Sequence, residues 1–162
     1  MVEFWVDTDG LIEANNRGYA FDLVPGFWPF LVEQAEAGRI ACPITVYAEL
    51  TDETHGPLRD WAVKHRNSPL FVEPSEAVQR ACTVVGDHVK AKYEPFYYAP
   101  FLSGADPWLI AHLKTDGGLI VTNETLKGPN AKNVKIPNVC DELGLSPPIP
   151  LYEMARRLGF KS

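Results

Sequence analysis

Short, uninterrupted apolar runs set the strongest limit on how this chain can fold. Phe4-Trp5-Val6 and Leu119-Ile120-Val121 are rich in β-favouring residues and too short to make helices of their own, and Arg39-Ile40-Ala41-Cys42 is a plausible further strand. A strand that is apolar on both sides must be covered on both sides, which is the situation of a central strand in a parallel sheet. Parallel neighbours need long crossovers, and stretches with helical periodicity do separate these runs. The expected fold is therefore α/β, a three-layer α/β/α sandwich around a central, mainly parallel sheet. With 162 residues and 46% hydrophobic content, the chain has enough material for one core. We expect a single domain over residues 1–162, in which residues from about 125 onward form an extension packed on the rest.

Periodicity and punctuation place the helices. Leu11, Ile12 and Ala14 suggest a short helix broken at Asn15-Asn16-Arg17-Gly18. Residues 27–37 read as a helix with Gly38 just past its end, Pro43 opens one that runs to about Glu53, and residues 57–66 form another. Ala77, Ala81, Val84, Val85 and Val89 make an amphipathic stripe, with Ser75 as its N-cap. Lys90-Ala91-Lys92-Tyr93-Glu94-Pro95-Phe96-Tyr97-Tyr98-Ala99-Pro100 reads as an aromatic loop punctuated by proline. Val134-Lys135-Ile136 reads as an edge strand, followed by a helix from Pro137. Leu151, Met154, Ala155 and Leu158 mark a final helix.

A net charge of −6 argues against a protein held to nucleic acid by bulk electrostatics. The cysteines, Cys42, Cys82 and Cys140, are odd in number and lack metal-ligand spacing, so reduced thiols are expected. The N-terminus has no basic region followed by a long apolar stretch, and no apolar run reaches membrane-spanning length. A cytoplasmic protein without a membrane segment is the expectation.

The chemistry-bearing residues are acids. Asp7 ends the first strand, Glu124 follows the last, Glu49 lies in an apolar helical stretch, and Asp106 precedes Pro107 at the start of a buried helix. Ligand sites in open parallel sheets lie beyond the carboxyl ends of strands, where Asp7 and Glu124 fall. For Asp106 the plain alternative is a helix N-cap. For Glu49, which shares a helical face with Thr45, Asp52 and Glu53, it is a solvated stripe. Carboxylates converging from separate elements, with no His or Cys of ligand spacing, suit a hard cation such as Mg²⁺ or Mn²⁺ and in-line phosphodiester hydrolysis. Lys127, Lys132 and Lys135 are candidates for neutralising phosphates, the alternative being ordinary solvated lysines. Tyr97 and Tyr98 either stack on unpaired bases or pack their loop onto the core.

With these residues in place, the chain resembles the PIN-domain nucleases, in particular the short toxin ribonucleases of VapC-type toxin–antitoxin pairs. The resemblance rests on Val6-Asp7-Thr8-Asp9, Val46-Tyr47-Ala48-Glu49-Leu50, Ala105-Asp106-Pro107-Trp108-Leu109-Ile110-Ala111 and Val121-Thr122-Asn123-Glu124, in that order. It implies catalytic and metal-binding roles for Asp7, Glu49, Asp106 and Glu124, with Thr8, Asp9, Thr122 and Asn123 in support. It also implies cleavage of single-stranded RNA, a cognate antitoxin protein as partner, and compatibility with a homodimer. The sequence departs from the family's pattern at Asp9, usually Asn or Ser, and at Glu124, usually Asp. The tail containing Val134-Lys135-Ile136-Pro137-Asn138-Val139-Cys140 resembles a longer, uncharacterised PIN-like branch. Phe27-Trp28-Pro29-Phe30-Leu31 is a candidate docking surface for an antitoxin, with core packing as the alternative.

Two rival readings remain. Val6-Asp7-Thr8-Asp9-Gly10 also resembles the first motif of haloacid-dehalogenase-type phosphatases, with Asp7 as nucleophile and Asp9 as acid/base. That reading leaves Asp106 without a role, and it needs paired acids after a strand, whereas Asp141-Glu142 falls in an expected helix. The other rival is a catalytically silent PIN-like binding module, against which all four acidic positions are filled.

Overall fold

The computed structural model describes residues 1–162. Strands β1 (Phe4–Val6), β2 (Ile40–Pro43), β3 (Phe71–Val72) and β4 (Leu119–Val121) form one wholly parallel sheet in the order β3-β2-β1-β4. Side chains along each strand alternate between its faces. Phe4, Val6, Ile40, Cys42 and Val121 enter one core, closed by α1 (Thr8–Asn16), α2 (Phe27–Glu36), α3 (Ile44–Glu53), α4 (Pro57–Lys64) and α9 (Leu151–Arg157). Trp5, Ala41 and Ile120 enter a second core, closed by α5 (Glu76–Lys92), α6 (Pro95–Ser103), α7 (Asp106–Asp116) and α8 (Ile136–Glu142). Layers of helices thus lie on both faces of the sheet, which is the expected sandwich. No helix is long and apolar enough to cross a membrane.

The residues beyond 125 supply both faces. Ile136, Val139 and Cys140 of α8 join the second core, while Leu151, Met154 and Ala155 of α9 join the first. Ile149, just before α9, bridges Val121 in parallel.

Several expectations are corrected. The segment around Tyr97 is helix α6: Pro95 sits in its first turn, where a missing N–H costs nothing, and Phe101 is buried in the second core. The buried stripe of α5 is Val78, Ala81, Val85 and Val89, one step round from the expected face, so Val84 is half exposed. Ser75 does cap this helix, accepting the Val78 N–H. Val134-Lys135-Ile136 is not a strand; Lys135 is extended only as the residue that enters α8. β3, two residues long, carries too little pattern to be read from sequence. Phe27, Trp28 and Leu31 are buried in the first core, so most of that apolar segment is packing rather than docking surface. All three cysteines are free thiols.

One turn is held to glycine by geometry. Gly118 has φ +93°, and a Cβ there would stand 2.8 Å from the Val2 carbonyl oxygen and 2.9 Å from that of Glu3. Gly118→Ala combines a left-handed backbone with a clash against the start of β1, and we expect it to cost about 1–3 kcal/mol. Urea unfolding checks this. A change below about 0.5 kcal/mol would show that the edge of β1 yields freely.

The sheet order also positions the site. The chain steps from β1 outward through β2 to β3, then returns to place β4 on the other side of β1. Such a reversal leaves a crevice at the carboxyl ends of the two strands that flank it. Those strands are β1 and β4.

Candidate metal centre

Asp7 follows β1 directly and is 2% exposed. Its backbone is extended (φ −86°, ψ 165°) and its Oδ1 accepts the Gly10 N–H at 2.6 Å, so it caps α1. Val6 pairs in register with Val121, which brings Asp7 alongside the exit of β4, where its N–H donates to the Val121 carbonyl at 3.1 Å. Buried Thr122 comes next. Its hydroxyl accepts the Glu124 N–H at 3.2 Å and favours the charged form of the Asp7 carboxylate beside it. A single hydroxyl therefore lies between the carboxylate of one strand-end acid and the backbone of the other. Glu124 in turn accepts the Ile136 N–H at 3.4 Å through Oε1.

Asp7, Asp9 and Glu124 present carboxylate oxygens within 4.8 Å of one another. Asp9 lies in the first turn of α1, where the helix dipole favours an acid. Expected only in a supporting place, Asp9 instead belongs to this closest group, which Asp106 and Glu49 do not join.

Asp106 is not the N-cap. Ala105 holds that position in a helical conformation (φ −78°, ψ −18°), and Asp106 is the first residue of α7, with no side-chain capping bond. The reason lies on α3, where Glu49 Oε2 accepts the Ala105 N–H at 3.1 Å and fixes the turn one residue earlier than Pro107 suggests. Gly104 makes this approach possible, because a Cβ there would lie 2.8 Å from the same oxygen. Glu49 Oε1 accepts the Thr8 hydroxyl. Glu49 is thus strapped by α1 and the entry to α7 at the rim of the cluster, and Thr8 orients it. Asp52 and Glu53, farther along the same helix, are exposed.

Burial and mutual repulsion shift these acids together. Burial pushes the Asp7 carboxyl up from the ordinary 3.8 to about 7, against the Thr122 and Gly10 hydrogen bonds that favour its charged form. Asp106 is pushed to about 8 by burial first, then by the charges of Glu124, Asp7, Glu49 and Asp9. Glu124 is also raised by burial, although the Lys135 ammonium and the Ile136 N–H pull the other way. None of the five acids forms an ion pair with a basic side chain. The one soft donor nearby is Cys42 on β2. Its thiol is pushed far up by burial and by the Asp7 charge, and so stays protonated. The donor set that remains is all carboxylate oxygen, which fits a hard divalent cation.

Residues 4–162 match the family described as a domain of unknown function, DUF4411. The chain belongs to this family. No curated protein matches it. The matched span of the DUF4411 domain begins at the first residue of β1 and runs past α9, so every acid of the cluster lies within it.

The other candidates divide. Asn123 turns outward in this DUF4411 chain: its amide donates to Glu13 at 3.0 Å and accepts the Leu151 N–H at 3.3 Å, so it braces α1 and α9. Lys127, Lys132 and Lys135 line a cleft of about 600 Å³ together with Tyr97. Tyr98 packs against the second core and lines neither that cleft nor the one beside it. His112 is buried in the core and stacks on Trp5 with ring centroids 4.4 Å apart. Asp141 and Glu142 lie in α8, where Glu142 is taken up by His88, Tyr93 and Lys92.

Proposed function

We propose that this DUF4411 domain is a metal-dependent endoribonuclease that hydrolyses phosphodiester bonds of single-stranded RNA, with Mg²⁺ or Mn²⁺ as cofactor. Asp7, Asp106 and Glu124 would hold the cation, with Asp9 beside them and Glu49 at the rim. One observation carries the reading: Asp7, Asp9 and Glu124 bring carboxylate oxygens within 4.8 Å of one another at the crevice where the strand order reverses, close enough to raise the Asp106 pKa, and none has an ion-pair partner. Uncompensated repulsion of this kind costs stability, and a divalent cation removes the cost. When bound, it supplies positive charge against the phosphate oxygens and acidifies an attacking water.

The residues of the chain do the rest. Thr122 fixes the Glu124 backbone beside the Asp7 carboxylate, and Gly10 and Thr122 keep Asp7 ionisable despite its burial. Asp106, free of capping duty, is available to bind or to take a proton. The resemblance to PIN-domain nucleases supports the same set and the same chemistry. It also supports a setting as the toxin of a toxin–antitoxin pair, with an antitoxin protein as partner.

One observation favours a second reading. Asp9 stands beside Asp7, as an acid/base would stand beside a nucleophile in a dehalogenase-type phosphatase. That reading still leaves the approach of Asp106 unexplained, and Glu142, engaged elsewhere, does not supply the acids it needs.

Metal titration with thermal unfolding as readout tests the site, and cleavage of an end-labelled single-stranded RNA tests the reaction. A cation at one hundred times its dissociation constant should add about 2.7 kcal/mol of stability. An unchanged midpoint with both metals in excess would count heavily against the centre.

A further inference from the structure

Beside the acids lies a surface of opposite character. From Thr125 to Cys140 there is no Asp or Glu, although the chain carries 21 of them in 162 residues. Lys127, Lys132 and Lys135 fall within that stretch, and none is in an ion pair. They line the cleft of about 600 Å³ with Tyr97. A second cleft of about 380 Å³ shares Tyr97, Asn133 and Lys135 with the first and reaches Asp106. The two form one groove that runs from the lysines to the Asp106 carboxylate. Phe96 borders the inner part at 80% exposure and meets Tyr97 edge to face, with ring centroids 5.1 Å apart.

We propose that this groove binds a single-stranded polynucleotide, with its backbone phosphates along Lys127, Lys132 and Lys135 and an unpaired base on Phe96. The placement of the reacting phosphate at the Asp106 end rests on the nuclease reading, but the groove itself does not. Lysines outside any ion pair bind phosphates by releasing counterions. An exposed aromatic ring beside them offers a stacking platform that any unpaired base can use and a paired one cannot. Nor does the lysine loop hang free. Asn138, 9% exposed on α8, accepts the Lys127 N–H at 2.9 Å and donates to the Lys127 carbonyl at 3.0 Å. This pair of hydrogen bonds from one amide to one residue presets the loop before any ligand arrives.

The test is fluorescence anisotropy with a fluorescein-labelled oligonucleotide of mixed sequence, in chelator so that nothing is cut. One arm uses RNA and the other DNA; tighter binding of RNA would assign the 2′-hydroxyl a part, and equal binding would leave the backbone and bases as the ligand. Lys127→Ala with Lys132→Ala should weaken binding about tenfold or more and reduce the slope of log affinity against log salt by about 1.4. Phe96→Ala should weaken binding about 5- to 100-fold while leaving that slope unchanged. These side chains are exposed, so unfolding midpoints should match the wild type and report intact folding. The proposal is overturned if both variants bind like the wild type, or if a duplex or a polyglutamate peptide competes as well as the single strand. Binding that follows these variants without any metal-dependent cleavage would sink the nuclease reading and keep the groove. Cleavage that depends on Asp106 but ignores both variants would do the reverse.

Discussion

Stripped of divalent metal, the protein should lose stability steadily as pH rises from about 4 to about 8. The acids responsible are Asp7 and Asp106, whose folded-state values are raised from 3.8 to about 7 and about 8. A raised value means that the folded protein keeps a proton that the unfolded chain has already released. The stabilisation is complete below the unfolded value and disappears as pH climbs through the folded one. Every tenfold gain in proton affinity on folding corresponds to about 1.4 kcal/mol, so the loss through Asp106 alone is on the order of 5 kcal/mol. The Asp7 loss overlaps with it, because the Asp7 charge is one cause of the raised Asp106 value. Excess Mg²⁺ or Mn²⁺ should flatten the slope. So should Asp106→Asn, which keeps the side-chain volume and removes the charge; it should exceed the wild type in stability at pH about 8 and match it at pH about 4. Urea midpoints in chelator across that range are the measurement. A wild-type midpoint that holds level or rises with pH would mean that the acids do not confront one another.

Much of the frame behind this expectation is legible in the sequence because strand burial leaves a strong trace. Short β-favouring runs apolar at every position suit central strands, and Phe4-Trp5-Val6 and Leu119-Ile120-Val121 send alternate residues into both cores. The acids at their ends follow from the rule for parallel sheets. What stays hidden depends on contacts between distant segments. Local pattern makes Asp106 a cap of α7, and only the reach of Glu49 to the Ala105 N–H, 56 residues away, moves the cap back by one. Nor can local pattern tell that Thr8 serves Glu49, or that Asn123 braces α1 and α9. Asp9 looks secondary because nothing in its own neighbourhood reveals Glu124 across the sheet. The aromatic segment misleads for a simpler reason. Its prolines look like breaks, yet Pro95 opens a helix and Pro100 lies inside it. Read as a loop, the segment draws attention to its tyrosines, whereas Phe96 is the most exposed ring there.

Asp106→Asn and Asp9→Asn should part the two enzymatic readings by the largest activity change available. In the presence of Mg²⁺ or Mn²⁺, Asp106→Asn is expected to reduce RNA cleavage by about 10²- to 10³-fold, as loss of a charged group at a preorganised site does. Asp9 is exposed and Thr122 does not hold it, so Asp9→Asn should cost less, about tenfold, in the manner of a supporting ligand. In a phosphatase the order is reversed, because proton transfer to the leaving group runs through Asp9 and nothing runs through Asp106. Assaying both variants on single-stranded RNA and on p-nitrophenyl phosphate makes the comparison direct. Misfolding does not confuse it: Asn is nearly isosteric with Asp, and removing one repelling charge should stabilise the metal-free fold. Phosphatase turnover that survives Asp106→Asn and vanishes with Asp9→Asn would install Asp7 as nucleophile and Asp9 as its acid/base. No turnover of either substrate by a wild type that does bind metal would leave a binding module. The crowded acids would then serve to hold a structural cation, and Asp106→Asn would reveal itself only in the loss of metal-dependent stabilisation.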